Sequence, residues 1–379
     1  MKKLAITIFF DAFVLMLLGL VMVMSASSTY SINRFDSVFY LFNSHLFKVL
    51  LGFSFMIIFS FIPYELYKNY SKAAIIFTVI LLIVTLLVAP NIKGAVRRLE
   101  IGFISIQPSD IARLILVIHL SVLLDKKFDL LGDYRHTVMP MFLWIVIISA
   151  LIIVQPNFST GILIVLISLT LMYVGGARLK HLMISLLSFF TAGSIAAMIY
   201  PHTRERIFSF INSLFNGGYL NLQVKQALYS LGSGGIFGVG LGNSMQSNLF
   251  LPEAYGDFIF AILGEETGFI GTVSVIAGFL LLFIIGILIA KKTKDRFGQL
   301  LAFGITISII AYAIVNIAVT TGVIPTTGLP LPFISYGGTS MVFVCIGIGI
   351  LINIALSNQK KSDMINNDIS GHTLAKAEI

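Results

Sequence analysis

Ten apolar stretches of roughly bilayer-spanning length follow one another along this chain, and that succession restricts the fold to a bundle of helices in a membrane. They cover about 5–27, 45–63, 72–90, 109–124, 137–154, 159–175, 181–200, 257–290, 298–320 and 340–357. A spanning helix needs roughly 20 predominantly apolar residues. The eighth stretch is long enough to include a tilted or interfacial part, and the fourth is short and polar at its start. With 57% hydrophobic and only 11% charged residues and a mean hydropathy of +0.97, the chain lacks the polar surface that a soluble domain of 379 residues requires. The predicted fold is therefore an all-α polytopic membrane protein with ten transmembrane helices. The first run ends near Ser25-Ala26-Ser27, which resembles a signal-peptide cleavage site. Its long apolar core, with further spans behind it, marks it as a retained first helix.

The formal charge of +8 would suggest a nucleic-acid partner in a soluble protein. Threaded with the N-terminus inside, the chain places most basic residues on one side, among them Lys2, Lys3, Lys68, Lys72, Lys126, Lys127, Arg178, Lys180, Lys291, Lys292 and Lys294. That bias puts both termini in the cytoplasm and explains the charge without nucleic acid. Residues 1–357 form a single transmembrane domain. A large extracytoplasmic loop, 201–256, joins helices seven and eight, and 358–379 forms a polar, flexible cytoplasmic tail. The single cysteine, Cys345, lies in an apolar run, which excludes an intrachain disulfide and a cysteine-based metal cluster.

Several polar groups stand where a bilayer makes them costly. Arg97 and Arg98 lie outside, against the topological trend, where they suit an anionic head group or simple contact with phospholipid. Gln107-Pro108-Ser109-Asp110 opens the fourth helix, with Pro108 suited to a first turn. Asp110 and Arg113, three residues apart, share a helix face, either as a structural ion pair or as the polar wall of a cavity. Gly232 to Gly242 is rich in glycine but lacks the spacing of a nucleotide loop. Close backbone packing, or amides approaching a diphosphate, fits it better. Asp257, in Leu251-Pro252-Glu253-Ala254-Tyr255-Gly256-Asp257, precedes the eighth helix, where an aspartate can cap, catalyse or do both. Glu265 and Glu266 lie about 12–14 Å further along that helix, too far to pair with Asp257 as two-carboxylate glycosidases require. Gly322 to Ser340 contains three prolines and four glycines, cannot be regular helix, and should re-enter or pack over the bundle. The scattered histidines show no metal-ligand spacing.

The string Asn316…Gly322…Pro325…Gly328…Ser335-Tyr336-Gly337-Gly338-Thr339-Ser340, with Gly232-Ser233-Gly234-Gly235, Leu251-Pro252-Glu253…Asp257-Phe258 and Gln107-Pro108-Ser109, resembles the SEDS family of bacterial cell-wall polymerases, named for shape, elongation, division and sporulation. The resemblance covers nearly all of 5–357. It implies transfer of glycan from undecaprenyl pyrophosphate carriers onto lipid II at the outer face of the bacterial cytoplasmic membrane. Asp257 would then be the catalytic residue, as general base or as an electrostatic anchor for the acceptor sugar. Arg97, Arg98, Gln107, Ser109, Asp110, Arg113, Gln246, Ser247, Glu253, Ser335, Gly337 and Gly338 would bind substrate. Asp110 and Arg113 depart from the glutamate and lysine usual there, and Leu99 stands where the family commonly has tryptophan. The start, Gly19 to Ser27, looks more like the FtsW than the RodA branch, which favours septal synthesis during cell division over elongation. The implied partners are a class B penicillin-binding transpeptidase and other divisome proteins, with no nucleic acid. No cofactor is assigned, and a divalent cation stays open. A lipid II flippase, or a scaffold without catalysis, is the competing reading.

Overall fold

The computed structural model describes residues 1–89, 99–101, 104–199, 204–205, 208–212, 221–251 and 254–377. Arg97, Arg98 and Glu253 lie outside the described residues.

Long apolar helices dominate because a backbone in hydrocarbon must satisfy its own hydrogen bonds. In chain order they are α1 (Lys2–Phe35), α2 (Tyr40–Phe61), α3 (Leu66–Val88), α4 (Pro108–Lys126), α5 (Met139–Val154), α6 (Phe158–Val174), α7 (Leu179–Ile199), α8 (Leu222–Ser233), α9 (Ile259–Lys292), α10 (Arg296–Thr320) and α11 (Ser340–Ala377). Among the described residues seven helices are long and apolar enough to cross a membrane: α1, α2, α3, α5 with its lead-in turn from Tyr134, α9, α10 and the Ser340–Gln359 part of α11. The helices α6 and α7 are apolar but present shorter stretches. The start of α4 buries Ser109, Asp110 and Arg113.

The most enclosed elements are α10 and α11. Helix α11 lies along α2 and also meets α1, α4 and α10, while α9 lies between α1 and α10. Helix α4 is held between α3 and α10. Close approach is set locally by small residues. At Gly286 an added Cβ would overlap Thr306 of α10, and at Gly349 it would strike the Met56 carbonyl of α2. Packing of this kind substitutes for the hydrophobic driving force that lipid cannot supply.

One end of the bundle is tied by side chains at its turns. Asp295 caps α10 by accepting from the Gly298 amide at 2.9 Å, and its carboxylate also takes the Tyr64 hydroxyl. Asn353 accepts from the Tyr64 amide at 3.0 Å, and Lys68 pairs with Asp125 at 2.8 Å.

Three features depart from the sequence expectations. A small antiparallel hairpin, β1 (Leu99–Ile101) and β2 (Ile104–Ile106), precedes α4, so the chain is not purely helical. Its strands of three residues are too short to leave a period-two signal. The segment 201–256, expected as a loop between helices seven and eight, contains the regular helix α8, capped by the Asn221 side chain on the Gln223 amide at 2.9 Å. Helix α11 continues through the expected polar tail to Ala377, because nothing between Ser357 and Ala377 breaks a helix except Gly371.

Candidate active site

The residues singled out in the sequence collect around one irregular segment, 321–339, which joins α10 to α11. Its prolines and glycines prevent helix, and its backbone folds onto itself. The Ser335 hydroxyl accepts from the Leu331 amide at 2.7 Å, and the Ser335 amide returns to the Leu331 carbonyl at 3.0 Å. Phe333 is buried with φ 65, an uncommon value for a residue with a side chain. Its carbonyl faces Gly19 of α1, where an added Cβ would overlap it.

Asp257 sits at one end of this segment. It lies in the turn before α9, half-buried, one residue ahead of the N-cap Phe258, and no side chain caps the helix. What fixes the turn is its backbone. Asn316, buried in α10, gives one amide proton to the Asp257 carbonyl at 2.8 Å and the other to the Leu329 carbonyl at 2.7 Å. Gly328, at φ 74, passes so close that a Cβ there would lie 3.4 Å from Asp257 Oδ2. Tyr255 is joined to the same segment, since its carbonyl accepts from the Tyr336 amide at 2.9 Å and its ring meets that of Tyr336 edge-on.

Asp110 sits at the other end. Thr339 accepts the Gln107 amide at 2.9 Å and directs its hydroxyl at Asp110 Oδ2 at 3.4 Å. The Gln107 side chain donates to Ser109 Oγ at 3.0 Å. Gly338 approaches the Ser105 carbonyl of β2 closely enough that a Cβ would lie 3.3 Å from it, and Gly337 is buried beside it. Arg113, one turn along α4, is buried with its guanidinium 4.0 Å from the centre of the Tyr312 ring. Its Nη1 finds no hydrogen-bond acceptor among the described residues. It lines a narrow crevice of about 10 Å³ with Val117, Ser308 and Phe343 between α4, α10 and α11. The aromatic face of Tyr312 offsets part of the cost of burying this cation.

Gln246 and Ser247 belong to a different cluster. Ser247 donates to the Ala26 carbonyl at 2.9 Å, and the Gln246 amide points at Glu265 Oε1 at 3.5 Å. Glu265 also accepts from Ser230 at 2.8 Å, Ser244 at 2.6 Å and the Met245 amide at 2.9 Å. Glu266 accepts the Ser25 hydroxyl and the Gly242 amide. Among the described residues no group of three or more His, Cys, Asp and Glu is placed to hold a metal ion.

Lys48 was missed in the sequence. It lies within α2 with its ammonium 4.1 Å from the centre of the Tyr336 ring, beside Ser44, whose hydroxyl is 3.1 Å from the Tyr336 hydroxyl. The signal was present, since Lys48 is the one lysine or arginine of Tyr40–Phe61, and a charge inside a spanning helix marks a functional site by default.

Comparison with known proteins identifies the family of the chain. Residues 5–360 match the FTSW_RODA_SPOVE family, described as cell cycle protein. The chain is 35% identical to a probable peptidoglycan glycosyltransferase FtsW of Coxiella burnetii (strain RSA 493 / Nine Mile phase I), over 94% of this chain and 99% of that protein. It is 34% identical to stage V sporulation protein E of Bacillus subtilis (strain 168), over 90% of this chain and 94% of that protein. Among solved structures it resembles a chain of a peptidoglycan synthase complex that coordinates polymerization and crosslinking, with a TM-score of 0.73 at 20% identity, covering 93% of this chain and 97% of that one. It also resembles the rod shape determining protein RodA of Thermus thermophilus, with a TM-score of 0.68 at 21% identity over 93% of this chain and 96% of that one. At these identities the two structures speak for the fold alone.

Proposed function

Because the chain belongs to the cell cycle protein family of FtsW, RodA and SpoVE, we propose that it is a peptidoglycan glycosyltransferase that polymerises lipid II at the outer face of the bacterial cytoplasmic membrane. In this reading ten helices cross the bilayer, α1 to α7 and α9 to α11, with both termini cytoplasmic and the segment bearing Asp257 outside. The relatives named FtsW favour a septal role in cell division. A class B penicillin-binding transpeptidase is the expected partner, with other divisome proteins around it.

Asp257 takes the proton of the acceptor sugar hydroxyl as that oxygen attacks the anomeric carbon of the donor glycan. A new glycosidic C–O bond forms, the C–O bond to undecaprenyl pyrophosphate breaks, and the pyrophosphate leaves as an anion. Arg113, with Arg97 and Arg98, balances the charge that develops there. Asp110, Ser109 and Gln107 form the polar wall against which Thr339 and Gly338 close.

The observation that carries this reading is the half-buried carboxylate of Asp257, held by its backbone through Asn316 beside Gly328 in a segment that ends on Asp110. The test is polymerisation of labelled lipid II by the purified protein with its transpeptidase partner. Long glycan strands are expected from the native chain and none from Asp257→Asn. Strands formed equally well by Asp257→Asn remove the catalytic assignment. Movement of lipid II across vesicles without strand formation supports the flippase instead.

A further inference from the structure

The outer glycine-rich loop poses a physical puzzle. It carries its largest apolar side chains on the outside. Ile236 is 62% exposed, Phe237 80%, Leu241 58% and Met245 64%. Between Lys225 and Glu253 the sequence contains no Asp, Glu, Lys, Arg or His. An extracytoplasmic loop in water gains nothing from such a surface.

The depth of the loop resolves this. Helix α9 ends at Lys291 and Lys292 on the side where basic residues collect. Counting back from Ala290, the 30 Å hydrocarbon core is used up in about 20 residues at 1.5 Å each, which ends near Ile270. The helix breaks at that level, at Gly268 with φ 69 and ψ −163. The glycine-rich loop attaches at the break through its backbone. The Phe269 amide donates to the Gly235 carbonyl at 2.9 Å and the Ile270 amide to the Ile236 carbonyl at 3.2 Å. Phe269, Ile270, Val273, Ile276 and Leu280 form the exposed apolar stripe of the spanning helix below. The loop therefore extends a lipid-facing surface without interruption.

Irregular backbone survives at membrane depth only where its polar groups are met from within. Here α9 meets them. The Val239 amide donates to the Glu265 carbonyl at 2.9 Å and the Gly240 amide to the Glu266 carbonyl at 3.1 Å. The Gly242 amide donates to Ser25 Oγ at 3.0 Å and Glu266 Oε1 at 3.2 Å, and the Met245 amide to Glu265 Oε1 at 2.9 Å. Side chains would prevent this approach, since a Cβ on Gly234 would overlap the Gly264 carbonyl and one on Gly238 the Glu266 carbonyl.

We infer that residues 236–245 form a lipid-embedded apron in the outer leaflet, with Phe237, Leu241 and Met245 at the boundary between head groups and acyl chains. Glu265 and Glu266 serve as internal acceptors that keep the loop's backbone out of contact with lipid. This assignment does not depend on the reaction that Asp257 serves.

The test uses the full chain with Cys345 replaced by alanine. Phe237→Cys and, as an independent site, Leu241→Cys are labelled with bimane in detergent and reconstituted into phosphatidylcholine–phosphatidylglycerol vesicles. Phe269→Cys on the spanning face and Asp129→Cys on an exposed turn serve as references, and monodispersity shows that each variant is folded. Both loop sites are expected to lose fluorescence to lipids carrying a nitroxide high on the acyl chain and to resist aqueous iodide, as Phe269→Cys does. Iodide quenching at the level of Asp129→Cys at either site overturns the inference, because the loop is then in water. Insensitivity to both quenchers also overturns it, because protein then covers the surface.

Discussion

Asp257 and the pair Glu265 and Glu266 lie on the same stretch of chain, at or beside the same helix, yet their surroundings differ in kind. Glu265 is buried and receives two hydroxyls and two backbone amides, so its charge is spread over several donors. Asp257 is half-buried, and its main chain, rather than its carboxylate, takes the Asn316 clamp. A buried carboxylate whose lone pairs are filled by protein donors is held as structure, whereas the Asp257 turn is fixed through its main chain beside Gly328.

The same chemical change at the two sites separates these roles most sharply. Asp257→Asn is expected to lower polymerisation by about 10²–10⁴-fold, the usual worth of a general base, with thermal stability unchanged. Equal destabilisation of both amide variants would erase the contrast. Glu265→Gln turns an NH₂ group toward donors, and is expected to cost about 3 kcal/mol of stability while the folded fraction keeps its activity. Thermal unfolding in detergent, paired with strand synthesis per folded molecule, checks it. Asn316→Asp removes both donors that tie Asp257 to Leu329, and is expected to reduce kcat about tenfold or somewhat more, following loss of about 1–3 kcal/mol of buried hydrogen bonding. An unchanged kcat with raised KM would show that the clamp serves binding rather than placement. Ser25→Ala removes one hydroxyl from Glu266 and is expected to cost about 1 kcal/mol, read as a small fall in melting temperature.

The sequence made the bundle legible because a bilayer demands long apolar runs, and α1, α2, α3, α9 and α10 begin or end within several residues of those runs. Pro108 in the first turn of α4 was legible for the same local reason. The site was legible only as separate strings. Nothing in the spacing shows that Asn316 donates to residue 257, 59 positions away, or that Ser25 reaches Glu266 across 241 positions. The hairpin at Leu99–Ile106 escaped because its strands are three residues each, and the break at Gly268 because one glycine inside an apolar run ordinarily passes as helix. Of the two readings of the glycine-rich stretch, close backbone packing or amides approaching a diphosphate, its contacts with Gly264, Glu266 and Gly268 support the first. Its partner, the broken helix, could not be named from one dimension.

Gly19 has a consequence reaching beyond its own helix. The first span abuts the Phe333 carbonyl with no side chain between them. A single methyl group at position 19 would act as a wedge against the segment whose Gly328 lies beside Asp257. The first helix of the chain thus sets the seat of a strand of backbone encoded more than three hundred residues later.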